Sequence, residues 1–164
     1  MKRCVFIAFL YALPGTAMAA APLFQSFDKA GFYSVMASGK IAAVDSELAI
    51  VEAATVAEKE AYEGALLMRK AGLLRWPREK LVTFRSGAVK LERSLARDSA
   101  NVEYHFLRLM IQEQAPAVVH YNKDRERDSR MVIRAFPRLP PVLQNAIRNY
   151  CPYSRMLQES KLNG

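Results

Sequence analysis

Apolar positions along this chain recur at spacings of three and four rather than two, the period of helices with one buried side. Ile41, Val44, Leu48 and Val51 form one such row and predict a helix over 41–54, with Asp45, Glu47 and Glu52 mostly outside it. Over 55–72 the stripe is made of small residues, Ala57, Ala61, Gly64, Ala65, Met68 and Ala71, with Tyr62 and Leu66 on an adjoining row. Small side chains let a second backbone come close, so this helix is expected to lie tight against another. Thr55 and Glu58 read as a capping box at its start, and Gly72 suits the left-handed position at its end. Leu81, Phe84, Ala88, Leu91 and Leu95 then mark a long helix. Pro77 fits its first position and Glu79 its positive end, while Trp76 reads as a core anchor.

The next helix carries apolar rows on two sides, Val102, Phe106 and Leu109 beside Tyr104, Leu107 and Ile111. A helix of that kind has neighbours on two sides, so 102–114 is expected at the centre of the fold. Asn101 is its N-cap, and Ala115-Pro116 ends it. Asn122 is the expected N-cap of a helix reaching Phe136, with Val132, Ala135 and Phe136 inward. Pro141 or Val142 opens a short helix to Tyr150, whose apolar side is Val142, Leu143, Ala146, Ile147 and Tyr150, and Cys151-Pro152 stops it. From 22 to 38 the pattern is weaker: Phe24, Phe27, Phe32 and Tyr33 are interrupted by Gly31 and Ser38-Gly39, which fits a short helix or a docked arm. These readings predict an all-α bundle or short superhelix of about six helices in a single domain over 20–164.

Residues 1–19 read as a secretory signal peptide. Lys2 and Arg3 start it, 5–13 is its apolar stretch, Pro14-Gly15 breaks it, and Ala17-Met18-Ala19 supplies small residues for cleavage after Ala19. Crossing a bilayer takes about 20 apolar residues, and the stretch before the break is far shorter. Cys4 lies too early for a lipoprotein signal, and no later stretch is long and apolar enough to hold the chain in a bilayer. The expectation is therefore an exported protein, periplasmic or secreted. With Cys4 gone, Cys151 is the single cysteine, so no internal disulfide supports the fold. Cys151 reads as a reactive thiol or an intermolecular bridge on one side, and on the other as a small apolar residue that ends a helix before Pro152.

Two resemblances bear on the centre. Ser94-Leu95 followed by Asp98-Ser99-Ala100-Asn101, with Gly87 and Leu91 before them, is similar to the inter-repeat turn of tetratricopeptide repeats. Arg75, Arg78 and Ser99 depart from that pattern, and no repeat of about 34 residues recurs. The resemblance therefore implies one repeat-like hairpin over 77–114 rather than an array. Asn101, Glu103, Phe106-Leu107-Arg108, Ile111-Gln112, Pro116, Tyr121-Asn122 and Asp128 together resemble small exported helical proteins of Bacteroidetes-type bacteria. That resemblance implies export and a helical fold, and brings no activity with it.

Charge is uneven. Removing Lys2 and Arg3 leaves 22 of the 24 basic residues against 16 acids, a net charge of +6. The balance runs from −2 over 21–72 through +3 over 73–120 to +5 over 121–164. Export argues against nucleic acid as the partner of this basic half and for an acidic protein surface or anionic envelope material. Lys123, Arg127, Arg130 and Arg134 make a basic row that offers guanidinium forks to carboxylate or phosphate. Asp124 and Glu126 trim it locally, as a solvated face would have it. Glu103, Arg108 and Gln112 are polar groups on the helix expected to be buried: with His120, Tyr121 and Asn122 they line a groove, or Arg108 pairs with an acid on a neighbouring helix.

No zinc spacing surrounds His105 or His120, and the chain has no phosphate loop, nucleophile elbow or calcium loop. His120, Tyr121, Asn122, Asp124 and Asp128 are the one constellation from which a general base or a metal site can be drawn, and they also suit a solvated helix start. No catalytic set, cofactor or metal is therefore expected. The sequence reads as a non-catalytic, scaffold-like protein-interaction module of the cell envelope. A binder of anionic lipid or polysaccharide through the 123–134 row is the alternative, and an enzyme the third possibility.

Overall fold

The computed structural model describes residues 26–162. The signal peptide read at 1–19 lies outside the described residues. Within them the chain forms α1 (Lys29–Ala37), α2 (Ile41–Ala53), α3 (Lys59–Leu73), α4 (Pro77–Arg97), α5 (Val102–Gln114), α6 (Arg125–Ala135), α7 (Pro141–Tyr150) and α8 (Glu159–Leu162). Short 3-10 turns follow α5, α6 and α7, and no strand occurs among the described residues. The all-α expectation is met with eight helices rather than about six. The additions are α1, from the weakly patterned segment, and the four-residue α8.

The central helix is α5, as its two apolar rows require. Every residue from Glu103 to Gln112 is buried, and α3, α4, α6 and α7 all pack on it. Aromatic rings thread the core around it. Phe32 meets Tyr62 with ring centres 4.7 Å apart, Tyr33 meets Phe106 at 5.8 Å, and Phe106 meets Tyr150 at 5.9 Å. α1, α3, α5 and α7 are thus joined by ring contacts within the range where offset and edge-on pairs are favourable.

The tightest pairing is α3 against α4, run antiparallel through two glycines. A methyl placed on Gly87 would lie 2.5 Å from the Gly64 carbonyl oxygen and 2.9 Å from the Met68 amide nitrogen. One on Gly64 would lie 2.8 Å from the Gly87 carbonyl oxygen and from the Leu91 amide nitrogen. The small-residue stripe of α3 therefore does what its composition predicts. Ion pairs flank the crossing: Lys90 to Glu63 at 2.6 Å, and Arg93 and Arg97 to Glu60 at 2.9 and 2.5 Å.

Helix ends follow the sequence in part. Pro77 and Pro141 each open their helices, and Asn101 caps α5 by accepting from the Glu103 and Tyr104 amides. The capping box at Thr55 does not form. Ala54 is extended, residues 54–58 are not helical and α3 starts at Lys59, because α2 and α3 pack on each other and the chain between them is spent on the connection. Gly72 does not terminate α3 in a left-handed conformation. The helix runs on to Leu73 and stops where Leu74 turns extended, at φ −63° and ψ 157°. Asn122 is likewise not the cap of α6, which begins at Arg125 behind Asp124.

Trp76 corrects a further expectation. It is 59% exposed, with the Arg75 guanidinium 5.3 Å from its ring centre. Leu73 and Phe84, on either side of it in the chain, pack against the core, and Trp76 stays outside.

Candidate functional site

A helix buried all round must satisfy its polar side chains inside the protein, and α5 does so for Glu103, His105 and Arg108 in two clusters. Glu103, near its start, accepts from Tyr33 Oη at 2.8 Å, Tyr62 Oη at 2.9 Å and Lys29 Nζ at 2.8 Å. Burial, followed by the Glu103 charge, pushes both phenols far above their ordinary range, which keeps them as donors.

One turn on, Arg108 grips Asp128 of α6 through both carboxylate oxygens, Nε to Oδ2 and Nη2 to Oδ1, each at 2.8 Å. Its remaining nitrogen, Nη1, reaches Glu92 of α4 at 2.9 Å and lies 3.6 Å from Asp124. Tyr121 donates to the same Glu92 at 2.6 Å. His105 completes the cluster, with Nδ1 2.6 Å from Asp128 Oδ1 and Nε2 2.9 Å from the Ser99 carbonyl oxygen. A carbonyl can only accept, so Nε2 is the donor toward Ser99, and Nδ1 faces the carboxylate. Burial opposes ionisation of Asp128, but the hydrogen bonds and charges of Arg108 and His105 outweigh it and hold its carboxyl below the usual range. Burial likewise opposes the Arg108 charge, and Asp128 overcomes it.

This arrangement has the partners of a general base and lacks the access. His105 is 1% exposed, Asp128 is fully buried, and both ring nitrogens are engaged within the protein. It joins α4, α5, α6 and the turn before α5.

Glu103, Arg108 and Gln112 do not line a groove. All three are buried, the first two are bonded as described, and Gln112 Oε1 has no hydrogen-bond partner among the described residues. Arg108 instead takes the paired role, with an acid on a neighbouring helix. The constellation at 120–128 is divided. Asp128 and Tyr121 turn inward, whereas His120 and Asn122 stay exposed. His120 is held in the left-handed region at φ 51°, where it ends the turn Ala117–Val119. Among the described residues no three His, Cys, Asp or Glu side chains converge as metal ligands would. Cys151 is partly buried against the core, and burial pushes its thiol up, away from the reactive thiolate.

The basic row is where the sequence places it. Lys123, Arg127, Arg130 and Arg134 are all exposed along α6 and just before it, with Glu126 3.7 Å from Arg130. The structure adds a feature that spacing alone did not reveal. The row ends on an apolar cleft of about 500 Å³, lined by Val102, Met131, Ala135 and Leu139 together with Arg134 and Arg138. Val102 comes from the start of α5 and the others from the end of α6 and the turn beyond, so no periodicity within one helix links them.

Comparison of the chain with protein-family models, with curated proteins and with solved structures finds no match.

Proposed function

We propose that this is a binding protein rather than a catalyst: an exported helical adaptor of the cell envelope, engaging an acidic, partly apolar segment of another envelope protein at α6. The observation that carries the reading is the cleft at the end of the basic row. Met131, Ala135, Leu139 and Val102 offer apolar surface to one or two partner side chains, and Arg134 and Arg138 offer forked donors to carboxylates beside them. Lys123, Arg127 and Arg130 extend positive charge along the helix, which steers an acidic partner and sets its direction. In this reading the hairpin over 77–114 is a repeat-like scaffold that holds α6, and the buried Arg108–Asp128 grip fixes α6 upon it.

The test is a photo-crosslinker at Met131, used on the tagged protein in its own envelope beside a Lys123/Arg127/Arg130/Arg134→Glu variant. The expected result is one discrete protein crosslinked by the parent and lost from the variant. Recovery of lipid or polysaccharide instead would keep the row and replace the partner class. A protein crosslinked equally by both would remove α6 from the interaction.

A further inference from the structure

We infer that the outward face of the first half of α4 is a separate contact surface, which rests on an anionic lipid bilayer. Seven large hydrophobic side chains are exposed among the described residues, and four of them, Trp76, Leu81, Val82 and Val89, fall within residues 76–89. Arg78, Val82, Arg85 and Val89 follow at spacings of four, three and four, which places them on one ridge of the helix. Leu81 flanks the ridge, and Trp76 is exposed at the N-cap of the same helix. The face cannot roll inward to cover itself. The opposite side of α4 is pinned by the Gly64–Gly87 crossing and by Leu91 and Leu95 in the core.

Charge separates the two halves of the helix. Lys90, Arg93 and Arg97, in its second half, are engaged by Glu63 and Glu60 of α3. Arg78 and Arg85 are exposed and form no ion pair among the described residues, while Arg75 lies over the Trp76 ring. The first half therefore presents uncompensated positive charge interleaved with exposed apolar groups, and Glu79 is the acid at its flank.

Three occupants compete for such a face. A second copy of the chain meeting it two-fold would gather four guanidinium groups, Arg78 and Arg85 of each copy, into one interface with no acid on the ridge to offset them. A protein groove would have to bury both guanidinium groups and supply an acid to each, at the cost of desolvating them. A bilayer requires neither. Val82, Val89 and Leu81 reach the acyl boundary, the longer arginines extend to hydrated phosphates, and tryptophan favours the interfacial layer. No helix among the described residues is long and apolar enough to cross a membrane, so the contact is one that lies on the surface.

Trp76 is the single tryptophan of the chain, so its emission reports on this end of α4 alone. The experiment adds the purified protein to vesicles of equal parts phosphatidylglycerol and phosphatidylcholine, and to vesicles of phosphatidylcholine alone. The expected result is a blue shift of Trp76 emission and quenching by lipids brominated near the headgroup, with the anionic vesicles only. Binding should weaken as salt rises. Arg78→Glu with Arg85→Glu should lower affinity by about tenfold or more, and Val82→Glu with Val89→Glu should abolish the shift. All four positions are solvent-facing, and circular dichroism checks that the variants fold. The Lys123/Arg127/Arg130/Arg134→Glu variant should bind as the parent does, which separates this surface from the one on α6. The inference is overturned if anionic vesicles leave Trp76 unshifted, or if the shift survives the Val82/Val89 change. Loss of binding in the α6 variant alone would overturn it too.

Discussion

Gly87 sits where two backbones touch, so an added methyl meets main-chain atoms as well as the Met68 side chain. The nearest atoms are the Gly64 carbonyl oxygen, Met68 Cγ and the Met68 amide nitrogen; the side chain can turn away, but the two main-chain atoms move only if α3 moves. Gly87→Ala is therefore expected to cost about 1–3 kcal/mol, the range for overpacking a close-fitted site, measured by urea denaturation. Gly72→Ala is the control. It lies inside α3 with ordinary dihedrals and open space around it, and should raise stability by about 0.4–1 kcal/mol. If both glycines respond alike, the crossing is not what constrains Gly87. Arg108 and Asp128 make a second case. Arg108→Met would leave the carboxylate buried without its main partner, a loss of about 3–5 kcal/mol, and adding Asp128→Leu should recover most of it. The sign of the pH effect follows from the lowered Asp128 carboxyl. Its contribution is fully present above the unfolded value of about 3.9 and is lost as pH falls through the lower folded one. The stability gap between the protein and Asp128→Asn should therefore narrow below about pH 4; a gap that stays constant to pH 2 would contradict the ionised pair. Pairs such as these were half legible in the sequence. Arg108 on a helix apolar on two sides asks for an acid, but no local spacing names Asp128, and nothing links Tyr33 and Tyr62 to Glu103. Their separations are set by how helices stack, which periodicity does not encode.

Element positions were far more legible, because a helix writes its buried side at every third or fourth residue. The rows of α2 to α5 and α7 were all visible, and so was the central place of α5. What the pattern misjudged were the ends, where local capping competes with the path the chain must take. Asn101 and Thr55 make the contrast testable. Asn101 accepts from two amides at the start of α5, so Asn101→Ala should cost about 1 kcal/mol. Thr55 satisfied the same sequence rule but is exposed and three residues short of the α3 N-cap, so Thr55→Ala should leave thermal unfolding unchanged. Equal losses from both would mean that the capping box forms in solution. Trp76 belongs to the same class of error. A lone tryptophan beside a helix start is ordinarily drawn into the core, and here Leu73 and Phe84 pack against the core while Trp76 remains outside. That exclusion turns an expected anchor into surface, and with it the first half of α4 becomes available for contact.

The whole molecule is tied through three charged residues of one helix. Glu103, Arg108 and Glu113 follow at intervals of five, and at about 100° per residue each step turns about 140° around the axis of α5. The three side chains therefore leave in different directions, toward α1 and α3, toward α4 and α6, and toward the chain's last segment. Glu113 differs from the other two in what it holds. Its Oε1 accepts from the Arg155 amide at 2.7 Å and the Met156 amide at 3.1 Å, and Oε2 from Ser154 Oγ at 2.7 Å. Beyond this latch Leu157 and Leu162 are buried, the one anchored just past the Ser154 turn and the other in α8. Met156 also packs on the core and α8 meets α6, but the Glu113 latch is the charged hold at the start of the segment, and its loss frees that start. Hydrogen bonds to a charged group contribute about 1.5–3 kcal/mol, and a loss of that size makes opening about ten to a hundred times more frequent. Glu113→Ala should accordingly speed amide exchange at 155–162 and admit trypsin after Arg155, with exchange in α5 and the midpoint of global unfolding nearly unchanged. Arg108→Met should do the reverse, lowering the midpoint of the whole domain, because its partners lie on helices that cannot leave singly. If Glu113→Ala instead lowers global stability as much as Arg108→Met, the last segment is part of the core that α5 organises, and its opening is not an independent event.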